Sequence, residues 1–298
     1  MKPSERIDEL KQRVDRALGL LLDEVGGPTI LKRAMAHALL SGGKRLRPLL
    51  VLASSELFES TGADPMAAAC AVELIHTYSL IHDDLPAMDN DALRRGVPTC
   101  HIIFGEAMAI LAGDALLTES FHVVAKAYAG RPAVATAIVC EMAAASGCAG
   151  MVGGQVLDVS GEDTRRPGAQ SADATDLRTV HDMKTGALIR ACFTIGAILG
   201  EAGDGDATRL AACGSRTGLA FQVIDDCLDA TGSDDELGKS AGSDARKGKE
   251  TFVSLMGLER ARAYAVELKE EALSLLSGYG ENGDLLRHLI IRAVERRS

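Results

Sequence analysis

The sequence predicts an all-α chain folded as a single-domain helical bundle. The 298 residues include no Trp, six Phe and four Tyr, and are rich in Ala, Leu and Gly, which favours helices over a β-sandwich or barrel. Apolar residues recur at three- and four-residue spacing, with no strand-like alternation. No proline follows Pro167, so the carboxy-terminal stretch is free of helix breakers. Linker signals are too short to divide residues 1–298, and one domain is expected.

Ile7, Leu10, Val14, Leu18 and Leu21 mark an opening amphipathic helix, stopped by Gly26-Gly27-Pro28. Pro28 starts a second helix to Leu40, and Ser41-Gly42-Gly43 breaks the pattern. Pro48 suits the first turn of a third, running to about Glu59. Asp64-Pro65 opens a long apolar helix, Met66 to Ile81, with the acidic run Asp83-Asp84-Leu85-Pro86-Ala87-Met88-Asp89 at its carboxy end. Beyond a loop at Gly96-Val97-Pro98, a helix is expected from about Phe104 to Ala129. Pro132 opens another that extends past Gly153-Gly154-Gln155, and Gly161 to Ser171 reads as a surface loop. A helix from about Asp173 to Leu199 carries Lys184-Thr185-Gly186. One from about Thr208 ends on a second acidic run, Asp225-Asp226-Cys227-Leu228-Asp229. The polar, glycine-rich stretch Thr231 to Glu250 is too long for an idle connector and reads as a functional flap. Two amphipathic helices close the chain.

A net charge of −10 argues against general nucleic-acid binding but leaves anionic ligands open wherever basic residues concentrate. Seven dispersed cysteines without a C-x-x-C pair, behind a polar amino terminus, point to reduced thiols in the cytoplasm. No uninterrupted apolar run of bilayer-spanning length is read, so no integral membrane segment is expected.

The two acidic runs carry the chemistry. Six carboxylates near an apolar interior repel one another unless cations offset them. Hard oxygen donors that leave room for water and phosphate oxygens suit Mg2+. Asp225 and Asp229, at i and i+4, share a helix face, and Asp226 lies about a quarter turn away. Asp89 cannot share a face with Asp83 on a regular helix, so Pro86 is expected to end or bulge the helix and let Asp89 swing back. Either run alone could be a solvated or capping cluster; what argues otherwise is the set of cations that accompanies them. Lys44, Arg45 and Arg47 follow flexible glycines just before a helix start, a setting for phosphate. Arg94-Arg95 form a second basic group, and Lys184 with Lys239, Lys247 and Lys249 a third. His76 shares the face of Asp83 at i and i+7, whereas His82 and His101 have no such support. Cations for two diphosphates face acids for metal.

Taken together, these segments resemble the polyprenyl diphosphate synthase family, in particular short-chain trans-prenyltransferases of the bacterial farnesyl diphosphate synthase kind. The resemblance rests on Gly42 to Pro48, His76 to Asp89, Leu93 to Gly96, Gly153 to Gln155, Lys184 to Gly186, Phe221 to Asp229 and Lys247 to Lys249, and covers nearly the whole chain. It implies the isoprenoid synthase type of bundle, with a central substrate cavity. It also implies condensation of isopentenyl diphosphate with dimethylallyl or geranyl diphosphate, by ionisation, condensation and elimination. Three Mg2+ ions per site would be held by Asp83, Asp84, Asp89, Asp225, Asp226 and Asp229, with Asp83, Asp89 and Asp225 central. Arg94, Lys184 and Lys239 would clamp the allylic diphosphate, and Lys44, Arg47, His76 and Arg95 the isopentenyl diphosphate. Thr185 and Gln222 would steady the allylic cation, and a homodimer is implied. Tyr78, five residues before Asp83, is placed to floor the product tunnel and favours a C15 product, farnesyl diphosphate, over C20, geranylgeranyl diphosphate. A deeper residue sets the length if Tyr78 is only a core aromatic. Rival readings are a terpene cyclase, which needs one diphosphate site, a non-catalytic subunit, which need not keep both acidic runs, and a phosphohydrolase built on His82-Asp83, which lacks further ligands.

Overall fold

The computed structural model describes residues 2–58, 63–163, 174–231 and 250–296. Helix α1 (Pro3–Glu24) buries Ile7, Leu10, Val14, Leu18 and Leu22, the stripe its periodicity predicts, with Leu22 taking the inner place expected of Leu21. Helix α2 (Thr29–Leu39) follows Pro28, and α3 (Leu46–Ser55) is almost wholly buried. That third helix stops at Ser55, short of the expected Glu59, which lies outside the described residues.

Helix α4 (Met66–Asp83) is apolar on nearly every side because α3 and α6 flank it. A two-stranded antiparallel hairpin, β1 (Leu93–Arg94) and β2 (Val97–Pro98), replaces the plain loop expected there. The next predicted helix is α6 (Glu106–Ala127), and an unexpected short α5 (Cys100–Phe104) precedes it, set apart by Gly105 at φ 85°. The helix opened by Pro132 divides: α7 (Pro132–Ser146) ends at Gly147, and α8 (Met151–Asp163) carries Gly153-Gly154-Gln155. The expected surface loop therefore begins within α8, and its part from 164 lies outside the described residues. By length and composition Glu106–Ala127 and Pro132–Val159 are apolar enough to cross a bilayer, which corrects the expectation of no such stretch; the second is interrupted at Gly147.

Helix α9 (Ala174–His181) runs through one wide π turn, Asp182–Gly186, into α10 (Ala187–Leu199). Almost every side chain of α10 is buried, since α3, α7 and α11 (Asp204–Thr231) enclose it. Past the flap come α12 (Phe252–Met256), α13 (Leu258–Ser274), a 3₁₀ segment Ser277–Gly283, and α14 (Asp284–Val294). The main core joins α1 to α7, α10 and α14, and a smaller one sits between α11, α12 and α13. The all-α bundle is as expected.

One buried charge network fixes the loop between α2 and α3. Arg45 adopts the left-handed backbone (φ 50°), and its guanidinium donates to Asp15 at 2.7 Å, Glu73 at 2.7 Å and the Leu39 carbonyl at 2.8 Å. Arg45 thereby turns inward, at the edge of a cavity that it lines together with Lys44 and Arg47. Glu73→Gln leaves that guanidinium short of compensation. It should lower unfolding free energy by about 3 kcal/mol in urea titrations, and a loss below about 0.5 kcal/mol would show the network to be incidental.

Candidate active site

Both acidic runs open onto one cavity of about 700 Å³ lined by α4, α8, the π turn and α11. The turn after α4 is the device that assembles the first wall. The Asp89 amide donates to the Asp83 carbonyl at 2.8 Å, and the Met88 amide to Leu85 at 2.9 Å, so the chain doubles back through Pro86. Asp83 and Asp89 both line the cavity. On α11, Asp225, Asp226 and Asp229 line it from the facing side.

Crowding is visible in the titration of Asp83. Burial, with Asp89 and Asp84 nearby, pushes its carboxyl up to about 6, against the opposing pull of Lys184 and Arg94. Among the described residues no three carboxylate, His or Cys side chains converge closely enough to hold an ion by themselves. A facing pair of carboxylate walls is nonetheless the donor set of a hard cation that completes its shell with water and substrate oxygens, as Mg2+ does. The residues fit that ion.

Two of the six expected ligands are held by protein groups. Asp84 is buried outside this cavity, held by Arg94 (Nε to Oδ1 2.7 Å), because the last turn of α4 points it towards the β-hairpin. Asp226 lines the cavity, but its oxygens are engaged: Oδ1 accepts from Gln222 Nε2 at 3.2 Å and Oδ2 from the Phe252 amide at 2.8 Å. The quarter turn separating it from Asp225 aims it at α12. Asp84 and Asp226 thus tie α4 to the β-hairpin and α11 to α12.

The cations are already partnered. Arg94 lines the cavity and also reaches Asp91 at 3.3 Å. Lys184 Nζ donates to Asp158 of α8 at 2.7 Å. A Cβ on Gly154 would stand 2.2 Å from the Lys184 amide nitrogen, so α8 can approach the π turn this closely only with glycine there. Thr185 Oγ1 donates to Gln222 Oε1 at 3.0 Å, chaining the π turn to Asp226. Lys239, with Lys247 and Lys249 of the expected flap, lies outside the described residues.

A second cavity of about 860 Å³ is lined by Lys44, Arg47, His76, Arg95, Arg292 and Arg296 among others. Arg47 and His76 line both cavities. Burial and Arg47 hold the His76 imidazole well below its ordinary value. The ring is neutral, so its Nε2, 3.2 Å from Arg47 Nη1, accepts that hydrogen bond. Burial, then Arg296, pushes the Lys44 ammonium down, which registers how tightly positive charge is packed here.

Sequence reasoning missed Asp158, His181, Arg292 and Arg296. His181 stacks on Phe252 at 5.5 Å and stands 3.6 Å from Asp226. Asp158 had a usable signal, one helical turn after Gly154, whereas Arg296 is 71 residues from Asp225 and had none. Tyr78 is buried, lines the first cavity and meets His82 edge-on at 5.7 Å. His82, left out of the expected site, lines the first cavity and bonds the Ile110 carbonyl at 3.1 Å, whereas His101 bonds Thr99 at 3.1 Å and does not line it.

Residues 28–277 match the family model described as polyprenyl synthetase. The farnesyl diphosphate synthase of Bacillus subtilis (strain 168) is 41% identical over 94% of this chain and 93% of its own. The chloroplastic geranylgeranyl pyrophosphate synthase of Capsicum annuum is 46% identical over 87% of this chain and 70% of its own. Among solved structures, a geranyltransferase from Helicobacter pylori complexed with magnesium and isoprenyl diphosphate superposes with TM-score 0.82 at 33% identity, covering 97% of each chain.

The raised Asp83 carboxyl gives a signed test. Its folded value lies above its unfolded one, so ionisation opposes folding progressively from about pH 4 to about pH 6 and fully above that. Without added metal, Asp83→Asn should stabilise the protein at pH 7 by on the order of 2 kcal/mol, with the gain gone at pH 4. Denaturation curves showing the same difference at both pH values would contradict the burial argument.

Proposed function

This chain belongs to the polyprenyl synthetase family and is a trans-prenyltransferase, and on that premise we propose how its residues divide the work. The observation that carries the reading is the pair of adjoining cavities, one walled by carboxylates and one by cations, sharing Arg47 and His76. Two diphosphates need two differently charged seats. A terpene cyclase has no use for the second, and a non-catalytic subunit none for two complete acidic walls.

In this reading Asp83, Asp89 and Asp225 hold Mg2+, three ions to a site, with Asp229 beside them and Asp84 and Asp226 fixing the walls. The bound ions supply the Lewis acidity that turns the allylic diphosphate into a leaving group. Arg94 and Lys184, with Lys239, add positive charge against the departing diphosphate, which is electrostatic stabilisation of developing charge. Lys44, Arg47 and Arg95 bind the diphosphate of isopentenyl diphosphate, and neutral His76 carries an Nδ1–H that can donate to it. The Thr185 and Gln222 dipoles lie where the allylic cation forms, between Lys184 and Asp225. The released diphosphate takes the proton lost in elimination. All seven cysteines are free thiols, as a cytoplasmic enzyme requires.

Product length follows from the apolar end of the first cavity. Tyr78 stands about 7.5 Å along the helix axis below Asp83, beside His82, which in turn bonds the Ile110 carbonyl. A phenol ring there stops a growing chain early, so farnesyl diphosphate is the product we favour over geranylgeranyl diphosphate. Purified protein given Mg2+, isopentenyl diphosphate and geranyl diphosphate should yield C15. Chelator should abolish condensation, and Tyr78→Ala should shift the products to C20 and longer. Condensation that persists in chelator would refute the metal-held mechanism, and an unchanged product from Tyr78→Ala would remove the phenol as the floor.

A homodimer accounts for an otherwise costly surface. Ile102, Ile103 and Leu111, on α5 and the start of α6, are 54%, 51% and 53% exposed, large apolar side chains of the kind that gather at an interface. Sedimentation at micromolar concentration should give twice 31.3 kDa, and Ile103→Asp with Leu111→Asp should give monomers. A monomeric wild type would exclude this face as a self-interface.

A further inference from the structure

Arg296, just past α14, stands in the wall between the two cavities. Its guanidinium carbon lies 3.9 Å from the centre of the Phe221 ring, and Nη2 donates to Asp225 Oδ1 at 2.5 Å and to the Phe221 carbonyl at 3.2 Å. Asp225 belongs to the acidic cavity, whereas Arg296 and Phe221 line the basic one. The side chain is only 13% exposed, yet its Nε–H is buried without a hydrogen-bond partner. Arg47, also on the basic cavity, keeps a buried Nε–H in the same condition. Donors left unsatisfied in a buried guanidinium are expensive unless an acceptor arrives, and a diphosphate offers several. Positive charge is already dense there, since Arg296 and Arg292 both push the Lys44 ammonium down.

We propose that Arg296 couples the two diphosphate sites by exchanging partners. This rests on the assignment of the acidic cavity to metal and of the basic cavity to isopentenyl diphosphate. Asp225 cannot give its full charge both to Arg296 and to a cation, and Arg296 cannot give its own both to Asp225 and to a diphosphate. When Asp225 is engaged by a cation it loosens its hold on Arg296, whose guanidinium turns to the diphosphate of the basic cavity. The effect is reciprocal: a diphosphate that draws Arg296 away leaves Asp225 more available to cation. Stacking on Phe221 keeps the guanidinium in reach of both partners. Filling the acidic cavity therefore favours filling the basic one, and the second substrate is held mainly when the first is in place. Arg296 is a positioning residue in this scheme, and Phe221 its pivot.

Calorimetry of isopentenyl diphosphate binding tests the coupling, alone and in the presence of Mg2+ with an unreactive thiolo analogue of geranyl diphosphate. The wild type should bind about tenfold tighter in the loaded form, within the usual range of site–site coupling. Arg296→Gln should cut that gain below twofold. Mn2+ affinity, read from free-ion EPR without substrate, should rise severalfold in Arg296→Gln because Asp225 loses its competing partner. Loss of a purely structural contact would not tighten metal. Arg296→Lys, which keeps the charge but not the planar fork, guards against misfolding and should retain part of the gain. A variant that keeps the full tenfold gain, or whose Mn2+ affinity is unchanged, overturns the proposal while leaving the enzyme reading intact. A wild type that binds no isopentenyl diphosphate in either form overturns both.

Discussion

The structure depends on keeping like charges apart across one cavity. Asp83 and Asp89 on one side face Asp225 and Asp229 on the other, with an apolar core behind both walls. A carboxylate moved out of water is stable only if protonated, hydrogen-bonded or paired. Burial, with Asp89 and Asp84 nearby, pushes the Asp83 carboxyl upward in line with that pressure. Around the rim the protein relieves it by committing each cation in advance: Arg94 to Asp84, Lys184 to Asp158, Arg296 to Asp225. In the proposed reading, a metal-bound diphosphate would enter by exchanging partners rather than by uncovering bare charge. This arrangement holds the desolvation penalty low before binding and leaves the same cations close to where negative charge develops later.

Several groups in the site stand where a helix is interrupted, while Asp225 and Asp229 ride on unbroken α11. The doubled-back turn through Pro86 brings Asp89 to Asp83. The wide turn Asp182–Gly186 aims Lys184 and Thr185 into the cavity, and such turns inside helices tend to mark functional positions. The left-handed Arg45 buries one guanidinium at the edge of the cavity that Lys44 and Arg47 also line. Regular helix supplies the scaffold, and local departures from it supply direction. The departures are affordable because α10 and α4, packed on all sides, fix the frame around them.

These two layers were unequally legible in the sequence. Helical periodicity, glycine and proline placed most elements, and i, i+4 spacing put Asp225 and Asp229 on one face, because each is local information. The break at Gly147 and the hairpin at Leu93–Pro98 escaped, since an apolar run of alanines carries no period by which to see it end. Spacing along a helix gives an angle about its axis but not the identity of the neighbour at that angle. Spacing therefore gave no sign of Arg94 beside Asp84 or of Phe252 beside Asp226. Pairings such as Arg296 with Asp225 exist only once the chain has folded, and residue type alone gives no sign of them.

Reaction type and product length are decided at opposite ends of the cavity and by different physics. The charged rim needs particular side chains at fixed positions, so any chain that keeps them keeps the chemistry. It resembles synthases named for C15 and for C20 products alike for this reason. Length depends on how far an apolar tail extends before meeting a wall, which is a matter of volume rather than charge. At that end Tyr78 packs edge-on to His82, and His82 in turn lies against Gly113, where a Cβ would come 2.1 Å from its ring nitrogen. In the proposed reading the floor would be this short stack spanning α4 and α6, backed by a glycine that lets the imidazole sit deep. A side chain at position 113 would force His82 out of that recess and alter cavity depth without touching a charged residue. Chain length can therefore drift within such a fold while the acidic walls stay the same.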